Sequence, residues 1–576
     1  EVAPKLLTML DGAFFVAHNV SFDLNFLQAE LEEAGYNPFD GYTIDTVEMA
    51  RIMFPTFDSY KLIDLTEKFG INHNRPHQAD SDAYVTAELF LMMVEKLTSL
   101  PLVTLETLVE LSKSLKSDLS ILLEKIVSRK QQKIDRLPDE VEVFRGVALR
   151  KRETVKQERK KLIGEFPETM DQKESLLRKL PSYERRESQL KMMDYVYHSL
   201  IQNEHAVIEA GTGVGKSLGY LMPAVYYSKE VGEPIVISTY TIVLQQQLLH
   251  KEIRQLEKIV PFPVRAVVLK GKNHYIDLFK FVNSLKDSSD NYDFALAKMQ
   301  ILMWLLETET GDVDEINLSS GGWHFWNQVK QDGDYLNKER KSWLGRDFYL
   351  HAKKQAKEAD VVITNHSLLV TDLKAESDVL PPYKHVIIDE AHHFEKAARD
   401  KLGKSLDSLS FKLLIGQLGT LHQKQLFFQC EEILQKYGET PNIQSIEIDR
   451  EIASLMFEAD EWFHTLQIYF EYHTKQKGGS SSRKQLRITE LERGWKYWQE
   501  ASLGAERLVA DMNSMSGRLL KRLHLLEKHK EQMNVKEQVV LSDLYSFLAD
   551  WREWIEQIEE VMFYTSEEHV VWMEGD

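Results

Sequence analysis

The chain has 576 residues, the length of roughly three or four domains, which excludes a single small binding module. Hydrophobic residues make up 43% and charged residues 28%, as in globular proteins, and no apolar run is long enough for a membrane span. A formal net charge of −19 excludes a protein that coats nucleic acid by bulk charge, and the single cysteine excludes an internal disulfide and a cysteine-ligated iron–sulfur cluster.

The first 100 residues or so alternate short apolar runs with helical patterns, which predicts an α/β unit. Residues 17–23 (AHNVSFD), 44–46 (IDT) and 77–83 (HQADSDA) resemble motifs of the DnaQ-like 3′-5′ exonucleases. The resemblance implies a partial RNase H-like exonuclease domain over 1–98, in which Asp23 and Asp82 are metal ligands and His77 is the general base. The family's Asp-x-Glu strand is missing, so we expect the natural protein to extend upstream of Glu1.

A charged, helical pattern follows from 99 to 180 and predicts a helical linker. Residues 125–191 carry 19 Lys and Arg against 12 Asp and Glu, in contrast to the acidic chain as a whole. Two interpretations remain open for this stretch, a solvated linker and a surface that faces a polyanion.

Residues 210–217 (AGTGVGKS) follow a short apolar run, 207–209, that we predict to be a strand, and they open a helical pattern. This is the context of a phosphate-binding loop, in which backbone N–H groups cradle the phosphates of a nucleotide. Lys216 would reach the β- and γ-phosphates of ATP and Ser217 would bind Mg²⁺. The remaining predicted nucleotide-binding residues of the loop are Gly211, Thr212, Gly213 and Gly215.

Residues 386–392 (VIIDEAH) place two carboxylates at the end of an apolar strand. Asp389 is suited to hold the magnesium ion through water, and Glu390 is suited to orient and deprotonate the attacking water. His392 could relay the state of the site to neighbouring elements.

Three further motifs accompany the phosphate loop and residues 386–392: 183–189 (YERRESQ), 238–248 (STYTIVLQQQL) and 364–369 (TNHSLL). Together, and in their order along the chain, the five motifs resemble those of superfamily 2 helicases of the DinG/XPD branch. The resemblance implies a RecA-like motor domain, with its first part over 181–270 and its return, including the DEAH motif, over 359–410. It also implies that Gln189, with Arg185 nearby, recognises adenine, and that the segment from Ser238 touches the DNA backbone.

The stretch between the two motor segments departs from that family. It looks polar and irregular, and Asp277 stands where the family has the first cysteine of an iron–sulfur cluster. We therefore predict a cluster-less insertion over 271–358 that keeps its fold by packing. The motifs of the second motor domain do not occur before Asp576, so we expect this chain to bind nucleotide better than it hydrolyses it.

From about Ser410 the pattern is helical, and by resemblance 411–562 is an arch-like domain, with 563–576 returning toward the motor domain. Residues 478–482 (GGSSS) predict a flexible loop tip. Two pairs of tryptophans at i, i+3 spacing share a helix face, and they either pack a core or stack on single-stranded bases. The pairs are Trp495 with Trp498 and Trp551 with Trp554.

The predicted fold class is therefore multidomain α/β, and the combination resembles the DinG proteins of Gram-positive bacteria. This implies a cytoplasmic, monomeric enzyme that binds ATP, uses Mg²⁺ or Mn²⁺, has no iron–sulfur cluster, and joins a 3′-5′ exonuclease to a helicase-type ATPase module on single-stranded DNA. Two alternatives stay open: an ATP-driven helicase with a subordinate nuclease, and a nuclease-dead, nucleotide-gated DNA-binding protein.

Overall fold

A computed structural model describes residues 3–575 apart from 74, 133–136, 153–164, 182, 212, 287–290, 333–337, 375–378, 442, 476–483 and 565–568. The chain forms two compact units, Glu1–Lys401 and Leu402–Asp576. The predicted phosphate-loop residue Thr212 and the predicted loop tip 478–482 lie outside the described residues. Among the described helices, none has the length and apolar character of a membrane span.

The first unit opens with a small α/β domain around two parallel strands. Ile44 in the second strand pairs with Val16 in the first and is fully buried. Helices pack around this pair because their buried positions are aliphatic, as in Leu65, Val85 and Leu89. The elements are α1 (Ala3–Leu10), β1 (Phe15–Ala17), α2 (Val20–Glu33), β2 (Thr43–Asp45), α3 (Thr46–Met53), α4 (Leu62–Phe69) and α5 (Ala79–Ser99).

The predicted linker 99–180 is not purely helical, because it also contains a β-hairpin. Arg145 and Gly146 at its tip have φ of 48° and 85°, the pair of left-handed residues that a tight two-residue hairpin turn requires. The charged helical pattern on either side of this short segment hid it. The elements are α6 (Leu102–Ser112), α7 (Leu119–Gln131), β3 (Val141–Phe144), β4 (Val147–Arg150) and α8 (Met170–Leu177).

The motor segment continues through α9 (Glu187–Gln202), α10 (Lys216–Val231), β5 (Ile235–Thr239), α11 (Ile242–Gln247), α12 (Arg254–Ile259) and β6 (Ala266–Val268). The insertion follows, with α13 (Leu278–Ser284), α14 (Tyr292–Trp304), α15 (Ser320–Val329), α16 (Lys338–Lys341) and α17 (Phe348–Glu358). Our expectation of an irregular insertion was wrong, since it is mostly helical and buries Trp304 and Trp326. The motor segment returns with β7 (Val361–Asn365), α18 (His366–Lys374), β8 (His385–Ile388) and α19 (Phe394–Leu402).

The four motor strands form one parallel sheet in the order β6-β7-β5-β8. Ile237 in β5 pairs with Ile363 in β7 and Ile387 in β8, and the central strands are buried on both faces, as parallel sheets are. The predicted strand 207–209 does not form, and Val207 is fully exposed. A strand needs a hydrogen-bonded neighbour, and among the described residues β8 pairs only with β5.

The second unit is a helical bundle with one small sheet. Its elements are α20 (Ser408–Leu418), α21 (Leu426–Lys436), α22 (Ser445–Lys475), β9 (Lys484–Ile488), α23 (Glu490–Arg493), α24 (Lys496–Lys528), α25 (Val535–Met562) and β10 (Val571–Gly575). We predicted a return toward the motor domain for 563–576, but β10 instead pairs antiparallel with β9 inside this unit.

The tryptophan pairs belong to the core of this bundle. Trp498 and Trp551 are 2% and 1% exposed, and the Trp551 indole N–H donates to the Met512 carbonyl at 3.0 Å. Trp495 and Trp554 are partly buried and pack against the same core. The core interpretation therefore holds, because a buried indole has no face free for a nucleic-acid base.

Candidate nucleotide and nuclease sites

The phosphate-loop residues adopt a backbone that only glycine adopts easily. Gly213 and Gly215 both have φ of 82°, a left-handed conformation. Gly215 is also the N-cap of α10, and a Cβ there would lie 2.2 Å from the Gln189 side-chain nitrogen. Lys216 and Ser217 form the first turn of α10, so both follow the helix N-terminus that favours anions.

The two residues predicted near adenine take up different positions. Gln189 is buried, and its side-chain N–H donates to the Gly215 carbonyl at 2.8 Å, which ties α9 to the phosphate loop. Arg185 instead forms an ion pair with Glu174 of α8, at 3.1 Å between Nη1 and Oε2. Gln189 thus lies at the loop, whereas Arg185 is engaged by the linker.

The DEAH turn meets the phosphate loop. Lys216 Nζ lies 2.9 Å from Glu390 Oε1, and the Tyr220 hydroxyl donates to Asp389 Oδ2 at 3.1 Å. The Lys216 ammonium holds the pKa of Glu390 below its ordinary value, whereas burial raises the pKa of Asp389. The predicted lysine and both predicted carboxylates therefore come together from positions more than 170 residues apart.

Sequence reasoning did not single out Tyr220. It lies four residues after Lys216 on α10, on the same helix face, and is itself buried. An apolar helix that places a tyrosine one turn beyond the loop lysine is a signal that could have identified it.

A buried histidine joins two more of the sequence motifs. His366 Nδ1 lies 2.7 Å from Ser238 Oγ, and burial lowers the pKa of His366. The Ser238 carbonyl in turn accepts from the Asp389 N–H at 2.9 Å. Next to them, the rings of Tyr240 and His393 stack at 3.9 Å between centroids. The segment from Ser238, which we predicted to touch DNA, is therefore hydrogen-bonded directly to Asp389 of the DEAH turn.

In the N-terminal domain, Asp45 organises the start of α2. Its carboxylate caps α3 by accepting from the Val47 N–H at 2.8 Å, and it also accepts from Asn19 and Val20 at 3.1 and 3.2 Å. Asp23 lies in the first turn of α2 and is exposed. The predicted metal ligand is thus an accessible carboxylate at a helix N-terminus that Asp45 fixes.

The other predicted nuclease residues lie where α5 begins. His77 is exposed, with φ of 67°, and Asp82 is in the first turn of the helix. The Asp82 carboxylate pairs with Nε2 of His73 at 2.8 Å, a histidine that the sequence analysis did not select. Both predicted acids and the predicted base reach solvent, and His73 holds one of the acids.

Among the described residues, only His274, Asp312 and Asp314 gather three potential metal ligands. Lys270 Nζ already bridges the two carboxylates there, at 2.6 Å from Asp314 Oδ2, so a cation of the protein itself occupies the group. Close by in the insertion, Asp277 is buried, accepts from the Phe279 and Lys280 N–H groups and pairs with Arg340. Asp277, which the resemblance places where the family has its first cysteine, thus lies in a buried ion pair.

Comparison with known proteins identifies relatives that align with most or all of the chain. Residues 1–90 match the exonuclease family model RNase_T. The 3′-5′ exonuclease DinG of Bacillus subtilis (strain 168) is 36% identical over 100% of this chain and 61% of its own length. The 3′-5′ exonuclease DinG of Staphylococcus saprophyticus is 32% identical over 77% of this chain and 48% of its own length. The chain thus spans between about half and three fifths of these relatives.

A solved structure titled XPD_Helicase aligns over 64% of this chain and 51% of that chain, with 16% sequence identity. Its TM-score of 0.28 is too low to compare the arrangement of the elements.

Proposed function

We propose that this chain, which is 36% identical over its whole length to the 3′-5′ exonuclease DinG of Bacillus subtilis, belongs to a DNA-processing enzyme with two chemistries. The N-terminal domain degrades single-stranded DNA from its 3′ end, and the DEAH module binds ATP with Mg²⁺. The match of residues 1–90 to an exonuclease model, with Asp23, His77 and Asp82 in the family's order and open to solvent, carries the nuclease half.

In the nuclease half, Asp23 and Asp82 would hold the divalent ions, because carboxylate oxygens are the donors that Mg²⁺ and Mn²⁺ prefer. The bound ions would polarise the scissile phosphate and lower the pKa of the attacking water. His77 would take the proton of that water, since it lies on the loop before α5, where its ring is exposed. His73 would orient Asp82 through its 2.8 Å contact.

In the nucleotide half, the Lys216 ammonium and the Glu390 carboxylate form an ion pair. Lys216 would exchange Glu390 for the β- and γ-phosphates, and this would free the Glu390 carboxylate to accept a proton from water. Ser217 and Asp389 would hold the magnesium ion, and Tyr220 would keep Asp389 in place. The link from Asp389 to Ser238 and His366 supports coupling between nucleotide binding and the segment proposed to contact DNA.

The test is digestion of a 5′-labelled single-stranded oligonucleotide by the full-length protein at fixed low salt. We expect Asp23→Ala and Asp82→Ala each to abolish 3′-5′ degradation and to leave ATP affinity unchanged, because the two chemistries use separate residues. His77→Ala should lower the rate and retain metal binding.

Asp80→Ala is the matched control, since Asp80 is an exposed aspartate in the same turn of α5 that pairs with Arg75 instead. Wild-type digestion by the Asp23 and Asp82 variants would remove the nuclease assignment. Loss of digestion in the Asp80 variant as well would mean that the start of α5, rather than the metal ligands, is being disturbed.

A further inference from the structure

Helix α14 of the insertion is buried on every side over most of its length. All ten residues from Ala295 to Trp304 are buried, which requires a covering all round the helix. It packs against α15 of the insertion, and it also packs against α3 and α6, which belong to the N-terminal domain and the linker. The insertion therefore contributes only part of the surface that keeps α14 out of water.

The insertion also supplies hydrogen-bond donors to the end of α3. The last carbonyls of a helix have no partner within it. Here the buried Gln300 side chain donates to the Arg51 carbonyl at 3.3 Å and to the Asn317 carbonyl of its own domain at 3.1 Å. Gln300 thus joins the two domains through one amide.

The turn after α3 is held in the same way. The Asn317 backbone N–H donates to the Pro55 carbonyl at 2.7 Å, and its side chain donates to the carbonyls of Phe57 and Asp58 at 2.9 and 3.3 Å. An ion pair between Lys96 of α5 and Glu307, at 2.8 Å, adds a contact at the edge of this surface.

We propose that the insertion is a docking surface, here called the dock, for the N-terminal domain. The dock holds this domain in one orientation, so that the domain does not move freely relative to the insertion. The contacts converge on α3, whose first turn is capped by Asp45, and Asp45 also fixes the start of α2. The dock thus supports the helix that carries Asp23.

Distance measurement between spin labels tests the dock in the full 576-residue chain. The sole cysteine, Cys430, is buried, so labels can be directed to Glu67→Cys on α4 and Gln328→Cys on α15, both of which are exposed. We expect one narrow distance distribution. A broad distribution in this doubly labelled protein would overturn the proposal.

Hydrogen exchange then tests the named contacts. Gln300→Ala with Asn317→Ala removes three side-chain hydrogen bonds to nuclease-domain carbonyls, and we expect amides at the end of α3 to exchange on the order of 100-fold faster. Asn327→Ala is the matched control, because the Asn327 side chain is exposed and accepts a hydrogen bond from Lys330, within the insertion. If the double variant does not fold, Asn317→Ala alone removes two of the bonds at an exposed position.

Unchanged exchange at α3 in the variants that fold would overturn the proposal, as would an equal change in Asn327→Ala. These readouts are conformational, so their outcome is independent of whether the protein digests DNA.

Discussion

The buried pair of Asp277 and Arg340 makes a prediction about the stability of the insertion. The side chains are 4% and 10% exposed, and Arg340 also donates to the Gln331 side chain at 2.6 Å. Asp277→Asn keeps an acceptor at the start of α13 but removes the carboxylate that pairs with the buried Arg340, and breaking a buried ion pair costs about 3–5 kcal/mol. Asp277→Ala also removes the cap, which costs about 0.5–2 kcal/mol more.

Removal of the other partner should cost less. In Arg340→Leu the remaining Asp277 can bind a proton, whereas arginine cannot lose one, so we expect a loss of roughly 1–3 kcal/mol. Burial already raises the pKa of Asp277 and Arg340 opposes that rise, so the variant's carboxyl has a still higher pKa. Its folded state binds a proton that the unfolded chain releases, and the deficit in stability therefore shrinks at low pH and grows as the pH rises through the raised pKa.

Native-state hydrogen exchange of the α13 amides is the assay, because a chain of several domains does not unfold in two states. The free energy of opening should decrease least in Arg340→Leu, more in Asp277→Asn and most in Asp277→Ala. A loss in Arg340→Leu at neutral pH that equals that of Asp277→Ala, or one that is independent of pH, would refute the reasoning.

Three further predictions concern other sites. Lys216→Ala should abolish ATP binding measured by calorimetry, since no other side chain of the loop neutralises the phosphates. Lys396→Ala, at an exposed position, is the control and should bind ATP as the wild type does. An ATP affinity of the Lys216 variant equal to that of the wild type would contradict the site. The purified protein should carry no iron, and Asp277→Cys should not acquire it, because two cysteines cannot hold a cluster; stoichiometric iron by elemental analysis would show that the insertion is misinterpreted. Maleimide should label Cys430 only after the second unit unfolds, because burial raises its thiol pKa to about 12, and rapid labelling of the native protein would disprove that burial.

The site formed by the phosphate loop and the DEAH turn was the most predictable part of the structure. A phosphate loop and a DEAH strand end carry their chemistry in short contiguous stretches, so Lys216, Asp389 and Glu390 could be named before the fold was known. What the sequence does not show is which groups support them. Tyr220 and His366 act through contacts at 3.1 and 2.7 Å with residues 169 and 128 positions away, and no local pattern encodes such a distance.

The strand predicted at 207–209 shows a second limit. Residues 207–209 have strand propensity, but a segment with strand propensity does not form a strand unless a neighbouring strand hydrogen-bonds to it. The hairpin at Val141–Arg150 shows the opposite case, because four-residue strands and a left-handed Arg-Gly turn are too short to stand out in a charged helical pattern. In the N-terminal domain, the pairing of Asp82 with His73 rather than His77 could not be foreseen, since both histidines precede the helix on the same loop.

The insertion shows how averaging over a segment can hide its function. Taken over roughly 90 residues it looks polar and irregular, because charged residues such as Lys280 and Asp332 are interspersed among its apolar ones. Helix α14 within it is buried on every side from Ala295 to Trp304, including the polar side chains of Lys298 and Gln300, and burial of this kind requires several covering elements. Helix α15 of the insertion is one of these elements, and α3 and α6 are others. The apolar residues of α14 are spread around the helix, which indicates several packing partners, but its sequence does not identify α3 and α6, because contacts between residues so far apart in the chain leave no local pattern.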